Sequence, residues 1–147
     1  MTVPAWSGAF AADHLSDVLA LPLPHPVADW AWGGSTGQGV RVAIVDSGVE
    51  DGHPRVGRLA GAVSVEPDPD DPSSFTYVEG PHEDLVGHGT ACSGIIRSLA
   101  PDVDIYSIRV LGPNLRGKGS AFLAGVRWAL EHGISVVNMS LSSRNDQ

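Results

Sequence analysis

Two short segments hold the residues whose types and spacing could do chemistry. Val42-Ala-Ile-Val-Asp46-Ser-Gly-Val49 ends an apolar run on a carboxylate, and Gly87-His88-Gly-Thr-Ala-Cys-Ser-Gly94 opens a helical pattern on an imidazole. A carboxylate that accepts the Nδ1–H of an imidazole fixes its tautomer and leaves Nε2 free as a base. Such a pair takes a proton from a nucleophile and later returns it to a leaving group. Alone, neither residue says much: a loop Asp is commonly a turn residue, and an unpaired His is commonly a satisfied surface residue. The pair gains meaning if both residues stand at the same end of one sheet.

The surrounding elements are predicted to bring that about. Val40–Val45 is a short run of mostly β-branched residues, as in a central parallel strand covered on both faces. Asp46 follows it directly, and Gly48 marks a sharp turn. His88–Leu99 reads as a helix, ended before Pro101, and Asp104–Val110 as a second strand. Ser120 is predicted as an N-cap. After it, Phe122, Leu123, Val126, Ala129 and Leu130 recur at helical spacing, with Gly133 at the C-terminal glycine position. Ile134–Met139 is a third strand. Alternating strands and helices imply an α/β fold with a mainly parallel sheet and right-handed crossovers. In such sheets functional residues gather beyond the carboxyl ends of the strands, where Asp46 would lie.

The text of the motifs is more specific than their placement. Val42–Val49 and Gly87–Gly94 resemble the aspartate and histidine segments of subtilisin-like serine proteases. Tyr106–Gly112 and Val136–Leu141 resemble two further blocks of that family in the same order, with the Gly125–Ala129 helix between them. The resemblance covers roughly Leu23 to Gln147, the N-terminal half of such a catalytic domain. It implies a subtilisin-like doubly wound, mainly parallel sheet with helices on both faces, incomplete in this chain. It also implies that Asp46 and His88 are catalytic. The family binds extended peptides between two backbone edges by strand addition. The matching positions are Leu115-Arg116-Gly117 and Ser140-Leu141-Ser142, with Leu111 lining a pocket beside the histidine.

The sequence departs from the family pattern in several places. No segment matches the family's nucleophilic serine, which is expected downstream of residue 147. Ser140, Ser142 and Ser143 correspond to substrate-edge positions. The expected partners are therefore a peptide or protein substrate and the C-terminal half of the same domain. The rival reading is a non-catalytic or split relative that keeps the cleft as a peptide-binding or regulatory module. His53-Pro-Arg55-Val56 places a cation where calcium-binding members carry an aspartate, so neither a metal nor another cofactor is expected. Cys92, one helical turn after His88, reads as a structural thiol. A Cys–His dyad and a metal site from His82, His88 and Cys92 are weaker alternatives. The acidic stretch Glu66–Asp71, with Glu79, Glu83 and Asp84, suggests a preference for basic substrate residues.

Composition sets outer bounds. The 147 residues suffice for one domain with a sizeable core. The net charge of −8 argues against nucleic acid and anionic membranes as partners. No stretch approaches the length of a membrane span. Residues 1–22 read as a leader or short prosegment, with a short helix over Ala11–Leu21 and an extended stretch over Leu21–Pro26. One or two helical turns are expected at Val27–Trp32. The single cysteine excludes an intrachain disulfide. With no signal peptide recognised, the expected compartment is the cytoplasm.

Overall fold

The computed structural model describes residues 33–71 and 73–140. The leader, the Val27–Trp32 turns, Leu141 and Ser142 lie outside them. Five strands form one sheet: β1 (Arg41–Asp46), β2 (Gly61–Pro67), β3 (Phe75–Glu79), β4 (Asp104–Arg109) and β5 (Val136–Asn138). Their order is β3-β2-β4-β1-β5. β1 runs parallel to β4 and β5, β2 runs parallel to β4, and only β3 is antiparallel to its neighbour β2. Among the described residues two helices accompany the sheet, α1 (His88–Leu99) and α2 (Gly119–Glu131).

The alternation of β1 explains why both faces are covered. Successive side chains point to opposite faces of a strand. Val42 and Ile44 enter one cluster, with Val49, Val56, Val103 and Ile105, against which Ile96 and Ala100 pack. Ala43 and Val45 enter the other, with Ile108, Val110, Trp128 and Ala129. Each such aliphatic side chain stabilises the fold by about 1.5–3 kcal/mol when fully buried. The sheet is therefore an interior layer between helices, with β4 at its centre and β1 beside it, paired on both edges. This is the doubly wound, mainly parallel arrangement expected from the sequence.

The helix ends show how local sequence anchors these layers. Arg97 in the last turn of α1 donates from Nε to the Val56 carbonyl (2.9 Å) and from Nη1 to those of Pro101 (2.8 Å) and Val103 (2.7 Å). It thus satisfies loop carbonyls while placing a cation at the negative helix end. Gly133 follows α2 at φ 65. The Ile134 N–H then returns to the Ala129 carbonyl (3.0 Å), closing the helix as expected.

Several expectations are corrected. α2 starts at Gly119 with Lys118 as N-cap, so Ser120 lies inside the helix and caps nothing. β5 is three residues long rather than six, and β4 ends at Arg109. β2 and β3 were not anticipated. Glu66 and Pro67, read as loop, belong to β2 and pair with Thr76 and Phe75. This ladder is tied to α2 rather than recognised by its own alternation. Tyr77 donates its hydroxyl to the Ala124 carbonyl (3.0 Å), and Trp128 Nε1 donates to Glu79 (2.9 Å).

Candidate active site

Asp46 ends β1 and is fully buried, whereas the His88 side chain at the first turn of α1 is 40% exposed. His88 Nδ1 lies 2.9 Å from Oδ1 and 2.8 Å from Oδ2 of Asp46. With an ionised carboxylate as acceptor, the Nδ1 proton lies between the two residues. Nε2 is then the atom left to act as base.

The approach is held by backbone geometry. Gly48 turns the chain at φ 116, and a Cβ at Gly89 would fall on the Gly48 carbonyl oxygen. Glycine at 89 is therefore required for α1 to close on the β1 turn.

Asp84 completes the arrangement, and its role was not anticipated. One of its oxygens, Oδ1, accepts from Ser47 Oγ (2.8 Å) and from the N–H groups of Val86 (3.1 Å) and Gly87 (2.8 Å). The other, Oδ2, accepts from Thr90 N (2.9 Å) and Thr90 Oγ1 (2.6 Å). Ser47 in turn donates its N–H to Asp46 Oδ1 (2.7 Å). One carboxylate therefore joins the end of β1 to the start of α1. Gly87, the N-cap, offers no side chain, so Asp84 supplies the acceptor and the negative charge for the helix N-terminus. Burial raises the Asp84 pKa, but hydrogen bonds from Thr90, Gly87 and Ser47 outweigh it and hold the group below its ordinary value. The available signal was an acid four residues before the histidine, read instead as a source of substrate charge.

The other proposed residues are distributed as follows. Leu111 is buried, and its N–H approaches the Asp46 carbonyl at 3.2 Å. Leu115 sits in a turn at φ 56, where Arg116 returns its carbonyl to Gly112 N–H (3.1 Å). Leu115-Arg116-Gly117 is thus a turn leading into α2, not a continuous strand. Ser140 is exposed and pairs with Asn138 (3.1 Å).

The His82, His88 and Cys92 trio is not assembled. His82 Nε2 lies 2.8 Å from Ser107 Oγ, and its buried Nδ1 has no hydrogen-bond partner. Burial, and then the nearby Arg109 charge, lower the His82 pKa. Cys92 instead joins Asp46 and His88, with donor atoms within 4.8 Å of one another.

This geometry has close relatives. Residues 37–147 match the family model of the subtilases, peptidase family S8. The chain is 37% identical over 142 residues to the minor extracellular protease Vpr of Bacillus subtilis, covering 89% of this chain and 17% of Vpr. It is 30% identical to subtilisin E of the same species, covering 88% of this chain and 35% of that protein. A crystal structure of a cold-adapted subtilisin-like serine proteinase superposes with a TM-score of 0.53 at 27% identity, over 76% of this chain and 40% of the other. The chain belongs to the subtilase family. It spans well under two thirds of the length of these relatives.

The relatives overturn one expectation. Vpr is an extracellular protease, which conflicts with the cytoplasmic placement drawn from the N-terminal sequence. The physical reason is that an export signal is a segment separate from the folded unit. A domain with one cysteine is moreover compatible with either redox environment.

Proposed function

We propose that this chain is the N-terminal part, residues 23–147, of a serine endopeptidase catalytic domain. Asp46 orients His88, and His88 Nε2 accepts the proton of a serine supplied from outside residues 1–147. The imidazolium formed is stabilised by the buried Asp46 carboxylate and then protonates the leaving amine. Water, activated by the same base, hydrolyses the acyl-enzyme. The substrate is a peptide or protein lying along Leu111, Leu115, Arg116 and Gly117 on one side and Ser140, Leu141 and Ser142 on the other.

The observation that carries this reading is the contact of His88 Nδ1 with both oxygens of a fully buried Asp46. A purely binding protein has no use for a buried carboxylate aimed at a half-exposed imidazole. The test is fluorophosphonate labelling of the full-length gene product, with peptide hydrolysis followed in parallel. Labelling is expected, and His88→Ala should lower the rate by a factor on the order of 10⁴. A folded full-length protein that neither labels nor hydrolyses would leave a peptide-binding module instead.

A further inference from the structure

A cavity of about 530 Å³ opens at the carboxyl ends of β2 and β4. Its wall is continuous with the Asp46 strand, because the N–H groups of Val110 (2.9 Å) and Leu111 (3.2 Å) both meet the Asp46 carbonyl. Val65, Phe75, Val110, Leu111 and Ala121 give it an apolar lining, and Arg109, Arg116, Lys118 and Glu66 add charge. Arg109 Nη2 pairs with Glu66 at 3.0 Å, so these two offset each other. Arg116 and Lys118 are exposed, and neither forms a salt bridge among the described residues. Lys118 also stands at the N-terminus of α2, whose first turn carries no acidic residue. The exposed helix amides add to the positive potential there.

Apart from Glu66, which is paired with Arg109, none of the acidic residues that suggested a basic substrate lines the cavity, and several are engaged elsewhere. Asp84 is taken up by Ser47, Val86, Gly87 and Thr90, and Glu79 accepts from Trp128. Asp68 and Asp71 accept from their own loop, at Asp70 and Ser73, and do not line the cavity. The local charge is therefore opposite in sign to that of the whole chain.

We propose that this cavity selects an acidic side chain of the peptide substrate, with Arg116 and Lys118 as its specificity-determining residues. The methylenes of a Glu would lie on Val110, Leu111 and Ala121, and its carboxylate would meet the two cations at the mouth. The inference rests on the endopeptidase reading and adds a substrate class to it.

The test uses the full-length gene product and matched fluorogenic peptides. They carry Glu, Gln or Lys at each position in turn on the amino-terminal side of the cleaved bond. At one of those positions, kcat/KM for Glu should exceed that for Lys by about tenfold, the scale of two partly screened ion pairs. The ratio should shrink as salt is raised. It should invert in the Arg116→Glu/Lys118→Glu double variant and fall partway in Lys118→Gln. Ratios within one variant cancel any general loss of activity or folding. Hydrolysis with no charge preference, or with a preference for Lys, overturns the inference and leaves the endopeptidase reading standing. No hydrolysis and no fluorophosphonate labelling by the folded wild type overturns both.

Discussion

The Asp46–His88 corner and the outer faces of α1, α2 and β5 follow opposite rules. At the corner, polar groups are matched with polar groups. Asp46 receives His88 and Ser47, and Asp84 accepts five hydrogen bonds from Ser47, Val86, Gly87 and Thr90. On the outer faces, large apolar side chains face solvent: Ile95 and Leu99 on α1, Leu123 and Leu130 on α2, Val136 on β5. β5 pairs only with β1 among the described strands. Apolar exposure on this scale is a feature of surfaces that associate with other protein. The contrast teaches that the Asp46–His88 contact is held by bonds among the described residues, whereas the outer apolar side chains named here are exposed.

Three experiments can break or sharpen that contrast. The largest effect is expected in the core beside the corner. Ile108→Ala should cost about 2–5 kcal/mol in denaturant unfolding, because it leaves a cavity between sheet and α2. The exposed Leu123→Ala should stay within about 0.5 kcal/mol. Equal losses at the two sites would mean that the outer face is as well packed as the inner one.

A smaller effect is expected at the joint between β1 and α1. Asp84→Asn keeps the shape but replaces an acceptor-only group with one that also donates. It should cost about 1–3 kcal/mol of stability. In the full-length protein it should lower kcat by roughly 10² with little change in KM, since it misplaces His88 rather than the peptide. An unchanged kcat would show that the Asp46–His88 spacing does not depend on this bridge.

The smallest effect is a pH dependence. His82 has a folded pKa below its unfolded value near 6.5, so the unfolded chain binds its proton first. Its contribution to stability is full above about pH 6.5 and is lost as pH falls from there through the folded value. Asp84 adds a second loss at lower pH: its contribution is full above the unfolded value near 4 and disappears as pH falls through the depressed folded value. Urea midpoints measured from pH 8 to pH 4 should fall below pH 6.5, and His82→Gln should remove that first decline only. A decline that persists in the variant would move its origin away from His82.

Legibility in the sequence followed the range of the forces involved. β1, α1 and β4 were readable because each combines strong periodicity with a hard stop: Asp46 and Gly48, Pro101, and the glycines after Val110. β2 and β3 escaped because Gly61, Ala62 and Ser64 dilute the apolar signal and prolines follow closely. What stabilises them is non-local, namely pairing with β4 and the bonds of Tyr77 and Trp128 between β3 and α2. Ser120 was misplaced because the N-cap is set by where the chain leaves the preceding turn, not by the best capping side chain in the neighbourhood. The cytoplasmic assignment failed for a different reason, since compartment is not a property of the fold.

By itself the sequence determined the family and the parallel α/β architecture, and it singled out Asp46 and His88, which the fold brings into contact. Strand and helix periods, glycine positions and the order of the motifs are local properties, and the chemistry of Asp and His needs only those residue types. The tertiary structure decided how that chemistry is held. It showed that Asp84 bridges β1 and α1, that Gly89 is small so that it can meet Gly48, and that Glu79 and Asp84 are used internally. It also decided the sign of charge around the cavity, because electrostatics depends on which groups are neighbours in space. A net charge of −8 counted along the chain therefore coexists with a cavity lining in which Arg116 and Lys118 are not offset by a salt bridge among the described residues.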